Sequence, residues 1–331
     1  MLRVPVKSSI PTRPDRSPAA TPLLKWVGGK RQLLPHIRRF YPARFGAYLE
    51  PFVGSGAVFF DLWGSGRLAG HPIVLIDSNA DLIGCYEMVR DRADAVAAAL
   101  EALAEGHARE GARHYYEVRD VRFNPLREAR RAPDGSIGYT PELAAMLIYL
   151  NRTGFNGLYR VNAAGRFNVP AGRYVRPRIA DPERLARVAR ALAGPGVTLR
   201  HASFDSVLEV AVEGDFLYID PPYAPLSATS SFTSYTSARF ADAEQERLQQ
   251  VVIELARRGC HVVLSNSTAP AIAALYDGNA AAETAGLRAY RIPARRAVNS
   301  VGTRRGSVDE YLISNVTPLE APETVRVPRA R

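Results

Sequence analysis

Cys85 and Cys260 are the only thiols in a chain of 331 residues. Two isolated cysteines make neither a disulfide framework nor a zinc site, which leaves both as small apolar interior residues of a reducing compartment. The 6 histidines fall at no metal-ligand spacing, so no metal is expected. No apolar run approaches the roughly 18 residues of a membrane span, and no membrane association is expected. Near the start, Pro5, Pro11, Pro14 and Pro18 stand where a secretion signal would carry an apolar stretch, so no such signal is expected.

What is present is an ordinary globular composition, 47% hydrophobic and 23% charged. The length suits one large α/β domain with a smaller one inserted or appended. Lysine and arginine number 43 against 33 acidic residues, a formal charge of +10. An excess of cations favours a polyanionic partner, because neutralising phosphates releases counterions.

Residues 1–20 are rich in proline and serine, lack apolar periodicity and read as a disordered arm; 318–331 read as a second loose end. Between them, short apolar runs alternate with helical patterns. Strands are expected at Tyr48–Phe52, Ile73–Ile76, Val197–Arg200, Phe216–Ile219, His261–Ser265 and Tyr311–Ser314. Helices are expected at Lys30–Phe40, Gly56–Trp63, Ala80–Arg90, Asp94–Glu105, Pro141–Leu150, Asp181–Leu192 and Ala243–Arg257. This alternation is that of an α/β fold with a mostly parallel sheet covered on both faces. Residues 108–195 break the rhythm with helix, long loop and helix. They read as an inserted, mainly helical domain, leaving 21–107 and 196–317 as the main domain.

The run Tyr48-Leu49-Glu50-Pro51-Phe52-Val53-Gly54-Ser55-Gly56 is a strand, a glycine turn and a helix start. Glycines there permit a sharp turn and close approach of backbone to ligand. The next strand ends in Asp77, about 20 residues on, where doubly wound folds place an acidic side chain on ribose hydroxyls. Together the two features indicate a nucleoside-bearing cofactor. After Gly56 come Ala57-Val58-Phe59 without a third glycine, so the phosphate cradle of a dinucleotide site is missing. A nucleoside without pyrophosphate fits better than NAD, and S-adenosylmethionine is such a ligand.

Phe216-Leu217-Tyr218-Ile219-Asp220-Pro221-Pro222-Tyr223 carries the most information. Prolines fix φ and donate no hydrogen bond, so an apolar strand runs into a rigid turn. The Asp220 carboxylate and the Pro221 carbonyl form two acceptors aimed at one spot, and an exocyclic amine offers the matching donors. Adenine's amine is a poor nucleophile because its lone pair is conjugated into the ring. Two acceptors on its hydrogens draw the nitrogen towards tetrahedral geometry and face its developing positive charge. Tyr223 gives an extruded base a stacking surface worth roughly 1–3 kcal/mol.

These residues resemble the Dam family of DNA adenine methyltransferases, over roughly residues 21–315. Leu24-Lys25-Trp26-Val27-Gly28-Gly29-Lys30 looks like its opening motif, Glu50–Gly56 like its glycine motif, and Asp220 to Thr229 like its catalytic motif and following loop. Val308-Asp309-Glu310-Tyr311-Leu312 looks like its last strand. The resemblance implies a Rossmann-like S-adenosylmethionine-dependent sheet of seven strands, the last antiparallel. It implies that Trp26, Lys30, Asp77 and Asp220 contact the cofactor, with Phe52, Gly54, Ser203 and Phe204 lining its pocket. An Asp instead of a Ser heading the catalytic motif implies adenine N6, not cytosine N4, as acceptor.

Residues Asn151–Arg178 hold 6 arginines and no acidic residue, with Phe155, Tyr159, Phe167 and Tyr174 interleaved. Cations among aromatics suit a duplex that is both neutralised and unstacked. Asn151–Arg160, Phe167–Pro170 and Gly172–Tyr174 closely resemble the Dam recognition segment, which implies a GATC site. By that likeness Arg160 reads a guanine through its fork, and Phe155 wedges into the stack where the family carries Tyr. Asn156 steadies the backbone; Leu158, Pro170 and Tyr174 shape the remaining base contacts; Lys25 approaches the first guanine. A target amine inside a duplex requires base flipping. The expected protein is thus a monomeric, cytoplasmic, nucleoid-associated enzyme acting on double-stranded DNA. Two alternatives stay open: an adenine methyltransferase of a restriction-modification or phage system with another site, and a catalytically silent DNA-binding regulator.

Overall fold

The computed structural model describes residues 20–26, 28–225, 240, 242–295 and 307–319. Most of both expected loose ends (1–19 and 320–331), Val27 and the Leu226–Thr229 loop lie outside the described residues. Seven strands form one sheet: β1 (Tyr48–Glu50), β2 (Ile73–Asp77), β3 (Val197–His201), β4 (Phe216–Ile219), β5 (His261–Ser267), β6 (Arg288–Arg295) and β7 (Ser307–Ser314). Their order is β3-β2-β1-β4-β5-β7-β6. The first five are parallel, and β7 runs antiparallel to β5 and β6. This is the Rossmann-like methyltransferase sheet expected above.

The helices are α1 (Leu34–Ile37), α2 (Ala57–Gly64), α3 (Ala80–Asp91), α4 (Ala93–Glu110), α5 (Ala112–Glu117) and α6 (Asn124–Ala129). They continue with α7 (Pro141–Thr153), α8 (Pro182–Leu192), α9 (Asp242–Arg257), α10 (Pro270–Tyr276) and α11 (Ala280–Thr284). Among the described residues no helix is long and apolar enough to cross a membrane.

Alternation along the strands builds two cores. In β4, Phe216 and Tyr218 enter one apolar cluster with residues of α3, α7 and α8. Leu217 and Ile219 enter the other, with residues of α9 and α10. Helix α7 is buried from Leu143 to Thr153 and shares the first cluster with Ile73 and Leu75 of the sheet. The segment 108–195 therefore packs its central helix into the same core as the strands.

Several details depart from the sequence reading, among them α10 and α11, which were not foreseen. The expected helix Lys30–Phe40 is a 3₁₀ turn (Lys30–Gln32), then α1, then a second 3₁₀ turn (Arg38–Phe40), because Pro35 cannot donate to the helical ladder. Strand β6 was not foreseen: it carries Arg288, Arg291 and Pro293, and a proline is tolerated in a strand mainly at a sheet edge. Past the end of α4 at Gly111, whose φ is +56°, α5, a π-helical turn (Val118–Phe123) and α6 follow where less helix was expected.

Because α7 and the sheet share one core, Leu150→Ala should cost about 2–5 kcal/mol and shift a single unfolding transition in calorimetry. Two separate transitions, with only one displaced, would contradict the shared core.

Candidate active site

Parallel strands deliver loops at their carboxyl edge, and the order reverses between β1 and β4, the place where such sheets bind ligands. The residues following β1, β2, β3 and β4 all project there. After β1, Gly54 (φ +45°) and Gly56 (φ +67°) make the turn into α2. A Cβ on Gly54 would stand 3.0 Å from Trp26 Cδ1, so both conformation and space demand glycine. Asp77, at the end of β2, accepts the Gly54 N–H at 3.0 Å and the Asn79 N–H at 2.9 Å. Asn79, not Asp77, caps α3. Asp77 instead braces the glycine turn.

After β4, Asp220 meets Lys30 Nζ at 2.8 Å on Oδ1. The Ser265 hydroxyl of β5 donates to that same oxygen at 2.9 Å and pairs with the Tyr218 hydroxyl at 3.0 Å. No described residue donates to Oδ2 or to the Pro221 carbonyl. Lys30 is 4% exposed, donates to the Gly28 carbonyl at 2.7 Å and lies 4.3 Å from the centre of the Tyr223 ring. The Tyr223 hydroxyl donates to Glu310 Oε2 of β7 at 2.6 Å. Gln245 of α9 donates to the Pro222 carbonyl at 2.9 Å, and the Ser267 hydroxyl to the Ala224 carbonyl at 2.7 Å. The proline turn is held from both sides.

Glu50, fully sequestered and hydrogen-bonded by the Tyr48 hydroxyl at 2.7 Å, is pushed well above the carboxylate range by burial, with Asp220 and Asp77 adding to it. Asp77 is raised to about 6 by burial, against the pull of its backbone N–H donors. Asp220 is raised too, by burial, which the neighbouring ammonium of Lys30 only partly offsets. Glu50 thus keeps its proton, which leaves two aspartates and one lysine, and Lys30 pairs with Asp220 alone. Such a site is short of positive charge and suits a cationic ligand.

Trp26, Gly54 and Asp77 are joined by one set of contacts and Lys30, Asp220 and Tyr223 by another. Pro221 is next to Asp220 in the turn, and buried Glu50 is near enough to feel both aspartates. Phe52 stacks on buried Phe204, with centroids 5.3 Å apart, beside Phe240 and next to exposed Ser203. Sequence reasoning missed Ser265, Glu310, Gln245 and Phe240, since a serine, a glutamate, a glutamine or a phenylalanine in isolation carries no motif. A cleft of about 510 Å³ opens elsewhere, lined by Arg31, Arg38, Tyr41, Asp61 and Arg67. Within it Asp61 takes both Arg38 and Tyr41, and none of the site residues expected from the sequence lines it.

Beside this edge lies the segment 154–178. Val161 pairs antiparallel with Phe167, and Gly154 with Ala171. Phe155 and Tyr174 are exposed at 49% and 38%, and Asn156 (φ 53°) turns the chain between Phe155 and Gly157. Pro170 is exposed and Leu158 half-buried. Arg160 is oriented by Asn168, with Nε 2.8 Å from Oδ1 and Nη2 3.2 Å from the carbonyl. Lys25 Nζ lies 4.2 Å from the Tyr174 ring centre, and its backbone is clamped by Asn151, which also binds the Gly157 carbonyl. Not every cation of the segment faces outward. Arg152 is buried and donates to the Arg178 and Leu23 carbonyls, and Phe167 is a core residue, 1% exposed.

The family model of D12 class N6 adenine-specific DNA methyltransferases matches residues 26–290. The chain belongs to this family. It is similar to the Type II methyltransferase M1.LlaDCHI of Lactococcus lactis subsp. cremoris, 36% identical over 299 residues, which are 89% of this chain and 95% of that protein. The DNA adenine methylase of Salmonella typhi is 34% identical over 289 residues, 87% of this chain and 93% of its own. The DNA N-6-adenine-methyltransferase of Escherichia phage P1 is 35% identical over 292 residues, 88% of this chain and 35% of its own. This D12 enzyme is therefore an adenine-specific DNA methyltransferase, a family whose methyl donor is S-adenosylmethionine.

Because burial lifts Asp77 to about 6 and raises Asp220, and protonation removes the negative charge and part of the acceptor capacity of each, the methylation rate of this D12 enzyme should fall as pH drops through about 6. An exposed carboxylate would still be charged there. Asp77→Asn should lower the rate and flatten that inflection in a single-turnover pH profile; an unchanged inflection would assign it elsewhere.

Proposed function

We propose that this enzyme methylates adenine N6 in duplex GATC, taking the adenine out of the stack and passing the methyl directly from S-adenosylmethionine. One observation carries the reading: Lys30 and Ser265 both hold Asp220 by Oδ1, while no described residue donates to Oδ2 or to the Pro221 carbonyl, which leaves both as acceptors for the amine.

The residues present fit the cofactor. Asp77 offers a carboxylate to ribose hydroxyls, Trp26 and Gly54 form a wall, and Phe52, Ser203 and Phe204 line the far side. When bound, the cofactor supplies a methyl group on a cationic sulfur, which complements an edge with two aspartates and one lysine. Lys30 and Asp220 complete the pocket.

Asp220 Oδ2 and the Pro221 carbonyl accept the two hydrogens of the amine and face the positive charge that develops on N6. Lys30 covers one side of the Tyr223 ring, so the base stacks on the other, with the ring held by Glu310. We take 108–195 as the target-recognition insertion. Within it Phe155 fills the gap left by the flipped base, Asn156 steadies the backbone, and Arg160, pre-aimed by Asn168, reads guanine. Leu158, Pro170 and Tyr174 shape the remaining base contacts, and Lys25 approaches the first guanine. Flipping costs a few kcal/mol, offset by stacking and by the paired acceptors.

Labelled S-adenosylmethionine with plasmids bearing or lacking GATC tests the site: label should enter only the first, and equal entry into both refutes GATC. Arg160→Ala should lower kcat/KM on GATC by about 1–3 kcal/mol and relax the preference at one guanine. Asp220→Ala should abolish transfer while the protein still binds duplex; methylation at an undiminished rate would refute the role given to Asp220.

A further inference from the structure

A second set of buried contacts joins the recognition hairpin to the cofactor side of the sheet. Asp81 lies in the first turn of α3, shortly after Asp77, and is 1% exposed. Its carboxylate accepts Arg127 Nε at 2.7 and 2.8 Å, the Tyr139 hydroxyl at 2.9 Å and the Tyr159 hydroxyl. Arg127 extends the connection to the hairpin tip, donating from Nη1 to the Gly165 carbonyl at 2.6 Å. Tyr159 extends it the other way. Its ring stacks on Trp26, centroids 5.6 Å apart and planes at 23°, and Trp26 packs on Gly54, whose N–H braces Asp77.

A buried carboxylate is satisfied only while all its donors stay in place, and losing one leaves a charge without full compensation. Here the donors come from the hairpin and from the chain before α7, and the acceptor from the helix that follows the ribose carboxylate. We propose that Tyr159 is a positioning residue that makes the cofactor wall and the base-reading hairpin one mechanical unit, so that cofactor and duplex bind cooperatively. The proposal rests on the reading that Trp26 lines the cofactor pocket and that the hairpin contacts DNA. A ligand that settles Trp26 settles Tyr159 and with it the hairpin, and DNA held by the hairpin does the converse. Such coupling is reciprocal in binding free energy.

The test is calorimetric titration of S-adenosylhomocysteine, with and without a saturating duplex that the wild-type enzyme has been shown to methylate. In the wild type the duplex should tighten S-adenosylhomocysteine by about five-fold or more, and S-adenosylhomocysteine should tighten the duplex by the same factor. Tyr159→Phe keeps the ring but removes the hydroxyl; each ligand alone should bind nearly as before, while the coupling factor falls towards unity. Trp26→Phe, which weakens the other end of the relay, should also lower the factor. Tyr139→Phe takes a hydroxyl from the same carboxylate without touching Trp26 and should keep full coupling. A purely structural role would lower the melting temperature of the Tyr139 and Tyr159 variants alike and spare the coupling factor. No coupling in the wild type, or full coupling in Tyr159→Phe, overturns the proposal. Failure of the wild type to bind either ligand at all would instead strike the functional reading beneath it.

Discussion

A lysine with almost no access to water pins one oxygen of a carboxylate, and the active edge of the molecule is arranged around that contact. Lys30 comes from the turn after the opening glycines, Asp220 from the end of β4, and their 2.8 Å pair joins two parts of the chain far apart in sequence. Lys30 is buried and the Asp220 side chain 21% exposed, so removing the carboxylate leaves a buried ammonium without its counter-charge, which is destabilising. The pair's functional consequence is directional. With Oδ1 taken by Lys30 and Ser265, the carboxylate cannot turn, and its second oxygen is presented together with the carbonyl of a proline that cannot move its φ.

The sheet supplies the rest. Only at the point where strand order reverses do loops from neighbouring parallel strands part to leave room for a ligand, and the Gly54 turn, Asp77 and Asp220 are the residues delivered there. Glu50 lies near both aspartates, deep enough that burial holds its proton. Even with Glu50 neutral, the edge holds two aspartates to one lysine, in a protein whose net charge is +10. The basic excess lies elsewhere, in part on the exposed arginines of 160–178, and the function proposed above gives polyanion and cationic cofactor separate surfaces. Two polar clamps tie the recognition segment to the rest of the molecule, Asn151 between Lys25 and Gly157 and Asp81 among Arg127, Tyr139 and Tyr159, while Asn168 orients Arg160 within that segment.

Much of this was legible in the sequence because the informative residues are local strings. A glycine turn after an apolar strand, and a carboxylate before two prolines and an aromatic, announce both their backbone shape and their chemistry. Six of the seven strands were readable as buried apolar runs. The exception, β6, is an edge strand with arginines and a proline, features that natural sheets use to blunt an edge and that erase the strand pattern. The supporting groups were not legible. Ser265 and Glu310 acquire their roles from register across the sheet, where β5 and β7 are aligned only by folding, and Gln245 acquires its role from the packing of α9 beside the proline turn. Arg152 and Phe167 looked like members of an exposed basic-aromatic surface, and the structure turns both inward, since a run of cations says nothing about which of them face water.

The most direct measurement is a structure of the enzyme with S-adenosylhomocysteine and a duplex that it methylates. The account predicts an everted adenine on Tyr223, its N6 about 3 Å from both Asp220 Oδ2 and the Pro221 carbonyl, with Lys30 and Ser265 still on Oδ1. An adenine left stacked in the duplex, or one everted into a pocket in which Asp220 does not touch N6, would contradict it.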